Sequence, residues 1–376
     1  MFSRIFKDKA IQLIKGKENI AQYVFSVAIV LELIVMMTDH LASWTLPYRG
    51  RVTHVAFVLF CVKILMTRYD LKQAGLAALA GMLGVISYCT CKDEYVIRAV
   101  IFVVAAIGTD AKRNLKIILW GASIGTAMII LLSLFGICGN VVDIRHYGRG
   151  MVEARYCLGF NHANNVHCML WYMVSILIMI KHDKLKVLHY LSLFVINVGM
   201  YFFTFSRTGF LATSIILIMS ILARIKTIRG LKQLYFVTAF LSLFSCIAVS
   251  VRAATVIPVY DKYQAKLNNL LTGRLEMIWE HEPMSTWVLF PGPRISEYVD
   301  NGFVSVTYIY GIIIGLLLCV LIAFEIYGAY KKDNIFLLII VIGNIFVVFM
   351  ESTFIFNVSL LCNMILILKM RLIGNE

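Results

Sequence analysis

Residues 187–223 read VLHYLSLFVINVGMYFFTFSRTGFLATSIILIMSILA. Arg207 is the only Asp, Glu, Lys or Arg among them, and it separates two apolar runs, 187–205 and 209–223. A helix crosses the hydrocarbon of a bilayer in about 20 mainly apolar residues, so the stretch reads as two crossings joined by Phe205-Ser206-Arg207-Thr208-Gly209. That turn is too short to lift the guanidinium far into water. A charge at the membrane edge is costly unless it is paired or functional; the plain alternative is an arginine that snorkels from a helix end. Gly209 lets the backbone turn tightly or approach a ligand.

The rest of the chain has the same character. Hydrophobic residues make up 60% of its 376 residues and charged residues 15%, against about 45–50% and about 25% in ordinary globular chains. Mean hydropathy is +0.84. A soluble fold cannot hide this much apolar surface. Collagen, disorder, coiled coil and disulfide scaffold are excluded, as is a soluble nucleic-acid binder despite a formal charge of +14.

Twelve candidate spans follow, at about 21–38, 52–67, 72–89, 95–110, 115–138, 162–180, 187–205, 209–223, 235–252, 303–327, 334–350 and 352–369. The last two are either separate crossings or one re-entrant pair around Glu351. The expected fold is all-α: a polytopic membrane protein of about 12 transmembrane helices, residues 1–376 forming one integral membrane domain. Between the ninth and tenth spans lies a long extracytoplasmic loop, 253–302. Its Leu267, Leu270, Leu271, Ile278, Trp279 and Trp287 are interspersed with charges, as in a folded cap with an interfacial amphipathic helix. A second polar segment, 139–161, is expected as a loop. Met1–Glu18 is basic and no small-residue cleavage site follows the first span, so it does not read as a cleaved signal peptide.

With the N-terminus in the cytoplasm, 22 of the 35 Lys and Arg fall on cytoplasmic segments and 13 outside, as the positive-inside rule asks; both termini are then cytoplasmic. The two cations sort unequally. Ten of the 13 outside are arginine and 16 of the 22 inside are lysine. Charge bias alone does not ask for arginine, whereas an anion site does, because the planar fork grips phosphate at two points. Contact with lipid headgroups is the alternative.

Arg274 stands in Leu271-Thr272-Gly273-Arg274-Leu275, where Thr272 is a candidate N-cap for a helix reaching about Glu282. The arginine then shares the first turn with unpaired N–H groups and the positive dipole end, which suits phosphate; an ordinary interfacial arginine is the other reading. Arg145, Arg149 and Arg155 lie beside His146, Tyr147 and Tyr156 in the first outer segment, either facing a sugar diphosphate or solvated. Asn161 and Asn164 open the sixth span, lining a polar cavity or capping the helix. Asp300, with Asn301, precedes the tenth span, and His281 follows Trp279; a carboxylate or imidazole near arginines can take a hydroxyl proton, although neighbouring arginines are expected to lower an Asp pKa and make it a weak base but a good hydrogen-bond orienter, and His281 alone reads as a surface histidine. Arg294 completes the outer cations. No metal-ligand spacing, phosphate loop or Ser-His-Asp order is present, and no cofactor is implied. The nine cysteines are scattered mostly through apolar runs, with a bridge from Cys89 or Cys91 to Cys138 or Cys157 as the one pairing considered.

At these residues the chain resembles the O-antigen ligase and polymerase family of bacterial envelopes. Ser206-Arg207-Thr208-Gly209, Gly273-Arg274 with Trp279, and Asp300-Asn301 followed by Gly311 and Gly315 are similar to the family's signatures, in order, between Gly159 and Gly315. The resemblance implies a cell-membrane glycosyltransferase working on undecaprenyl-pyrophosphate-linked glycan, inverting and metal-independent, that builds capsular, O-antigen or exopolysaccharide chains. It implies Arg207 and Arg274 as diphosphate-holding residues, and a flippase and a chain-length regulator as partners. Where the ligase branch has a histidine this chain has Asp300, which favours a polymerase over a ligase. A transporter of an anionic lipid or solute is the non-enzymatic alternative.

Overall fold

The computed structural model describes residues 2–42, 46–146, 152–225, 230–256, 262–271, 273–280, 287–290 and 299–352, with side chains from residue 16 onward except those of Arg145 and His146. Within them lie fourteen helices. The first five are α1 (Phe2–Asp39), α2 (Arg49–Met66), α3 (Leu71–Cys91), α4 (Tyr95–Ala106) and α5 (Ala111–Leu134). After a hairpin come α6 (Ala163–Lys181), α7 (Val187–Thr204), α8 (Arg207–Leu222) and α9 (Lys232–Thr255). Two short helices, α10 (Lys262–Leu270) and α11 (Arg274–Glu280), precede α12 (Gly302–Tyr310), α13 (Ile312–Lys331) and α14 (Ile335–Met350).

Seven helices are long and apolar enough to cross a membrane: α1 from Gly16, α3, α5, α6, α7, α9 and α13. The apolar helices α4, α8 and α14 are shorter. The molecule is therefore a multi-pass membrane-type helical protein. Of the expected spans, 352–369 falls almost entirely outside the described residues. The tenth, 303–327, is not one helix. It breaks at Gly311, whose φ of 91° ends α12 and lets α13 start in a new direction. The segment 139–161 is not merely a loop either: Val142–His146 (β1) and Val152–Tyr156 (β2) pair antiparallel. Every described cysteine is a free thiol.

The helices sort into centre and periphery. In α6, 78% of the apolar window is inside the molecule, against 17% in α3 and α7. The central helices α6, α8 and α14 pack Trp171, Tyr172, Ile216, Leu217, Ile339 and Ile345 into one apolar core. The outer helices present Trp120, Leu188, Phe202 and Phe244 outward, surface that only a lipid solvent tolerates.

Polar contacts between helix ends fix the alternation of the chain. At one face, here the upper, Arg49 pairs with Asp39 at 2.6 Å, and Asn161 N–H donates to His40 O at 2.8 Å. At the lower face, Gln22 donates to Asn114 at 2.8 Å, Lys232 pairs with Asp333 at 2.6 Å, and Arg224 donates to Tyr190 OH at 3.3 Å. Each contact joins ends that an alternating trace puts on the same face.

Candidate functional site

The upper ends of three central helices and the cap meet at one carboxylate. Glu351 stands just past the last residue of α14 and is buried. Its Oε1 accepts from Arg274 Nη2 at 3.1 Å and from Asn164 Nδ2 at 3.2 Å. Thr208 and Asp300 lie near enough to the same carboxylate to act on it electrostatically. Arg274 comes from the cap, Asn164 from the start of α6, Thr208 from the start of α8, and Asp300 from the segment before α12. Burial pushes the Glu351 carboxyl above its ordinary range; the Arg274 charge pulls against this and the Asp300 charge adds to it. Asp300 is likewise raised rather than lowered as its arginine neighbours suggest, because burial outweighs the opposing Arg274 charge.

Local sequence explains how the turn at Arg207 is held. Ser206 caps α8, its hydroxyl accepting from Gly209 N–H at 3.3 Å. The left-handed residue of the turn is Phe205, not Gly209. Gly209 instead permits helix contact: a Cβ there would stand 2.7 Å from His167 Cβ on α6. The glycine expected to admit a tight turn or a ligand thus admits a neighbouring helix. His167 extends the clamp, with Nδ1 3.0 Å from Thr204 Oγ1 and Nε2 2.7 Å from Asn197 Oδ1. Asn197 Nδ2 then donates to Ser214 Oγ at 2.9 Å. Three spans therefore set the turn, from which Arg207 points to the surface while Thr208 faces the carboxylate.

The cap departs from expectation in its use of Arg274. The first N–H groups of α11 are not available to a phosphate, because Asn268 Oδ1 accepts from Leu275 N–H at 3.0 Å and Glu276 N–H at 3.1 Å. Thr272, the expected N-cap, lies outside the described residues, as do residues 281 and 282, the expected end of the helix; α11 is described over Arg274–Glu280. Besides Glu351, the guanidinium donates to Met350 O at 3.0 Å and Leu271 O at 3.3 Å. It therefore pins the cap to the end of α14 as well as carrying charge. An apolar cluster of Ala253, Ala254, Leu275, Ile278, Val299 and Val304 seats the cap on α9 and α12.

The other expected site residues divide. Asn161 is exposed at the upper face, accepting from Asn165 at 2.6 Å. Asn301 is buried and committed to structure: its Oδ1 caps α12 through Val304 N–H at 3.1 Å, and its Nδ2 donates to Ser250 Oγ at 2.8 Å. Arg155 is buried in β2 against Glu153 at 2.7 Å. Trp279 is half-buried near the end of α11. Arg149, His281 and Arg294 lie outside the described residues, as does the Arg145 side chain.

Part of the outer arginine excess is consumed internally. Arg49 and Arg155 are ion-paired, and Arg98 meets Glu32 at 2.6 Å and Glu94 at 3.3 Å. Sequence reading missed Glu351, which served there only as a break between apolar runs. A lone ionisable residue between two spans was the available signal. Among the described residues, no group of His, Cys, Asp or Glu is placed to hold a metal ion. Neither a family model, nor a curated protein, nor a solved structure matches the chain.

Proposed function

We propose that the chain is a bacterial cell-membrane glycosyltransferase that polymerises undecaprenyl-pyrophosphate-linked repeat units, with about 12 crossings, cytoplasmic termini and the upper face turned away from the cytoplasm. What carries the reading is the meeting of the upper ends of α6, α8 and α14 with the cap around Glu351 and Arg274, with Arg207 exposed one residue from that cluster. A lipid tail lies among the outer helices while its sugar enters beneath the cap. Arg207 and Arg274 face the diphosphate, whose negative charge grows as the anomeric C–O bond breaks and the leaving oxygen takes the electron pair. Fixed cations stabilise that change, Arg274 most strongly because it is half-buried beneath the cap, while Arg207 stands exposed beside it. An acceptor hydroxyl attacks the opposite face of the anomeric carbon, forming the new C–O bond with inversion. Its proton passes to a carboxylate, with Asp300 less enclosed than Glu351 and so nearer an incoming sugar.

A transporter of an anionic lipid is the second reading. Buried polar groups run deeper than the upper cluster, among them His167, Asn197, Glu325 and Asn344. Purified full-length protein given a lipid-linked repeat unit separates the two. A ladder of multimeric lipid-linked product is expected, and its loss in Arg207→Ala at normal protein level. Movement of the donor across a vesicle membrane without any new glycosidic bond refutes the polymerase, and transfer of glycan to a different carrier makes the enzyme a ligase.

A further inference from the structure

Glu351 sits where an anion would be expected to sit. It bonds Arg274 at 3.1 Å, and a second carboxyl, Asp300, acts on the same guanidinium. One fixed cation therefore already faces two acids in a buried setting. Bringing a phosphate to that cation adds another negative charge, and in a poorly hydrated site like charges a few ångströms apart repel strongly. The remaining partners of Glu351 suit either protonation state. The Asn164 amide donates to Oε1 at 3.2 Å and needs only a carbonyl oxygen there; the Thr208 hydroxyl lies beside the carboxyl, and a hydroxyl can turn to face either form. The acid can thus surrender its charge and give up Arg274 while keeping the Asn164 amide as a partner.

We propose that Glu351 holds the seat of the ligand's phosphate on Arg274, and that a lipid-borne diphosphate takes the seat as Glu351 takes up a proton. The proposal rests on the diphosphate reading above and adds to it a named competitor and a proton. The groups facing Glu351 are Arg274 on α11, Asp300 ahead of α12, Cys168 and Asn164 on α6, and Thr208 on α8 with Arg207 beside it. Burial already favours the protonated form, which keeps the exchange within reach near neutral pH.

The test measures binding of geranylgeranyl diphosphate and of inorganic pyrophosphate to full-length protein in detergent, between pH 6 and pH 8. Wild type is compared with Glu351→Gln, so that the ligand's own titration cancels in the ratio. Glu351→Gln is expected to bind more tightly than wild type at pH 8, by about tenfold for one proton over one pH unit, with the gap closing toward pH 6. An effect with the lipid form alone assigns the seat to a lipid headgroup; an equal effect with pyrophosphate assigns it to the diphosphate itself, and either supports the exchange. Weaker binding by Glu351→Gln, or parallel pH profiles, overturns the proposal and leaves the diphosphate reading standing. No binding of either compound to wild type at any pH overturns that reading and the proposal with it. If Glu351→Gln does not fold, calorimetry of wild type in two buffers of different ionisation enthalpy counts protons directly. One proton beyond the ligand's own uptake is expected, and none overturns the idea.

Discussion

Arg274 and Glu351 depend on each other in a way that can be separated by substitution. Removing one member of a buried pair strands the other charge, at a cost of roughly 3–5 kcal/mol. Arg274→Ala is therefore expected to lower the thermal midpoint in detergent more at pH 8 than at pH 6, because Glu351 can take a proton at the lower pH. Adding Glu351→Gln to Arg274→Ala is expected to restore most of that stability, since an amide needs no cation, while polymer synthesis stays absent. Equal midpoints for the single and double variants at pH 8 refute the coupling. The wild-type pH dependence has a definite sign. A carboxyl whose folded-state pKa lies above its unfolded value favours the fold while protonated, and that contribution is lost as pH rises from the ordinary carboxylate range toward neutrality. Stability is expected to fall across that window in wild type and to fall less in Glu351→Gln, measured by thermal unfolding in matched buffers.

The helix termini show why an element can be read from sequence while its purpose is not. Apolar length announced the spans, and Ser206 announced a helix start through its capping hydroxyl. The glycine two residues after Arg207 was equally visible, but its reason lies 42 positions away in His167, and spacing along one strand of sequence carries no such pairing. Gly209→Ala is expected to cost about 1–3 kcal/mol by forcing α6 and α8 apart. Gly199→Ala on α7, where nothing lies within 4 Å of the added carbon, is expected to be neutral or stabilising by up to about 1 kcal/mol. Thermal midpoints of the two variants settle the comparison, and equal losses defeat it. The break at Gly311 was hidden for a different reason. Residues 303–327 are apolar but for Ser305, Thr307 and Glu325, and periodicity in so apolar a run does not tell one helix from two; the bend is held from outside, by Ile312 N–H donating to Val288 O at 3.0 Å. Asn268 is the same lesson in the cap: an amide four residues before Thr272 takes the N–H groups that local reading left for a ligand.

For the whole molecule, charge counting gave an alternating trace, and the contacts between helix ends agree with one. In a background without native cysteines, Lys92→Cys is expected to react with an impermeant maleimide on intact cells, and Asp183→Cys only after the cells are opened. The reverse pattern puts the upper face in the cytoplasm and ends the polymerase reading. Both positions are exposed, on opposite faces. The Glu32–Arg98 pair adds a constraint on how such a molecule is made. Glu32 lies well inside the first crossing and its partner emerges 66 residues later. A lone charge in the bilayer centre costs at least about 2.5 kcal/mol. The first helix is therefore expected to leave the translocon more readily once α4 has been synthesised, when the two charges can enter lipid as one neutral unit.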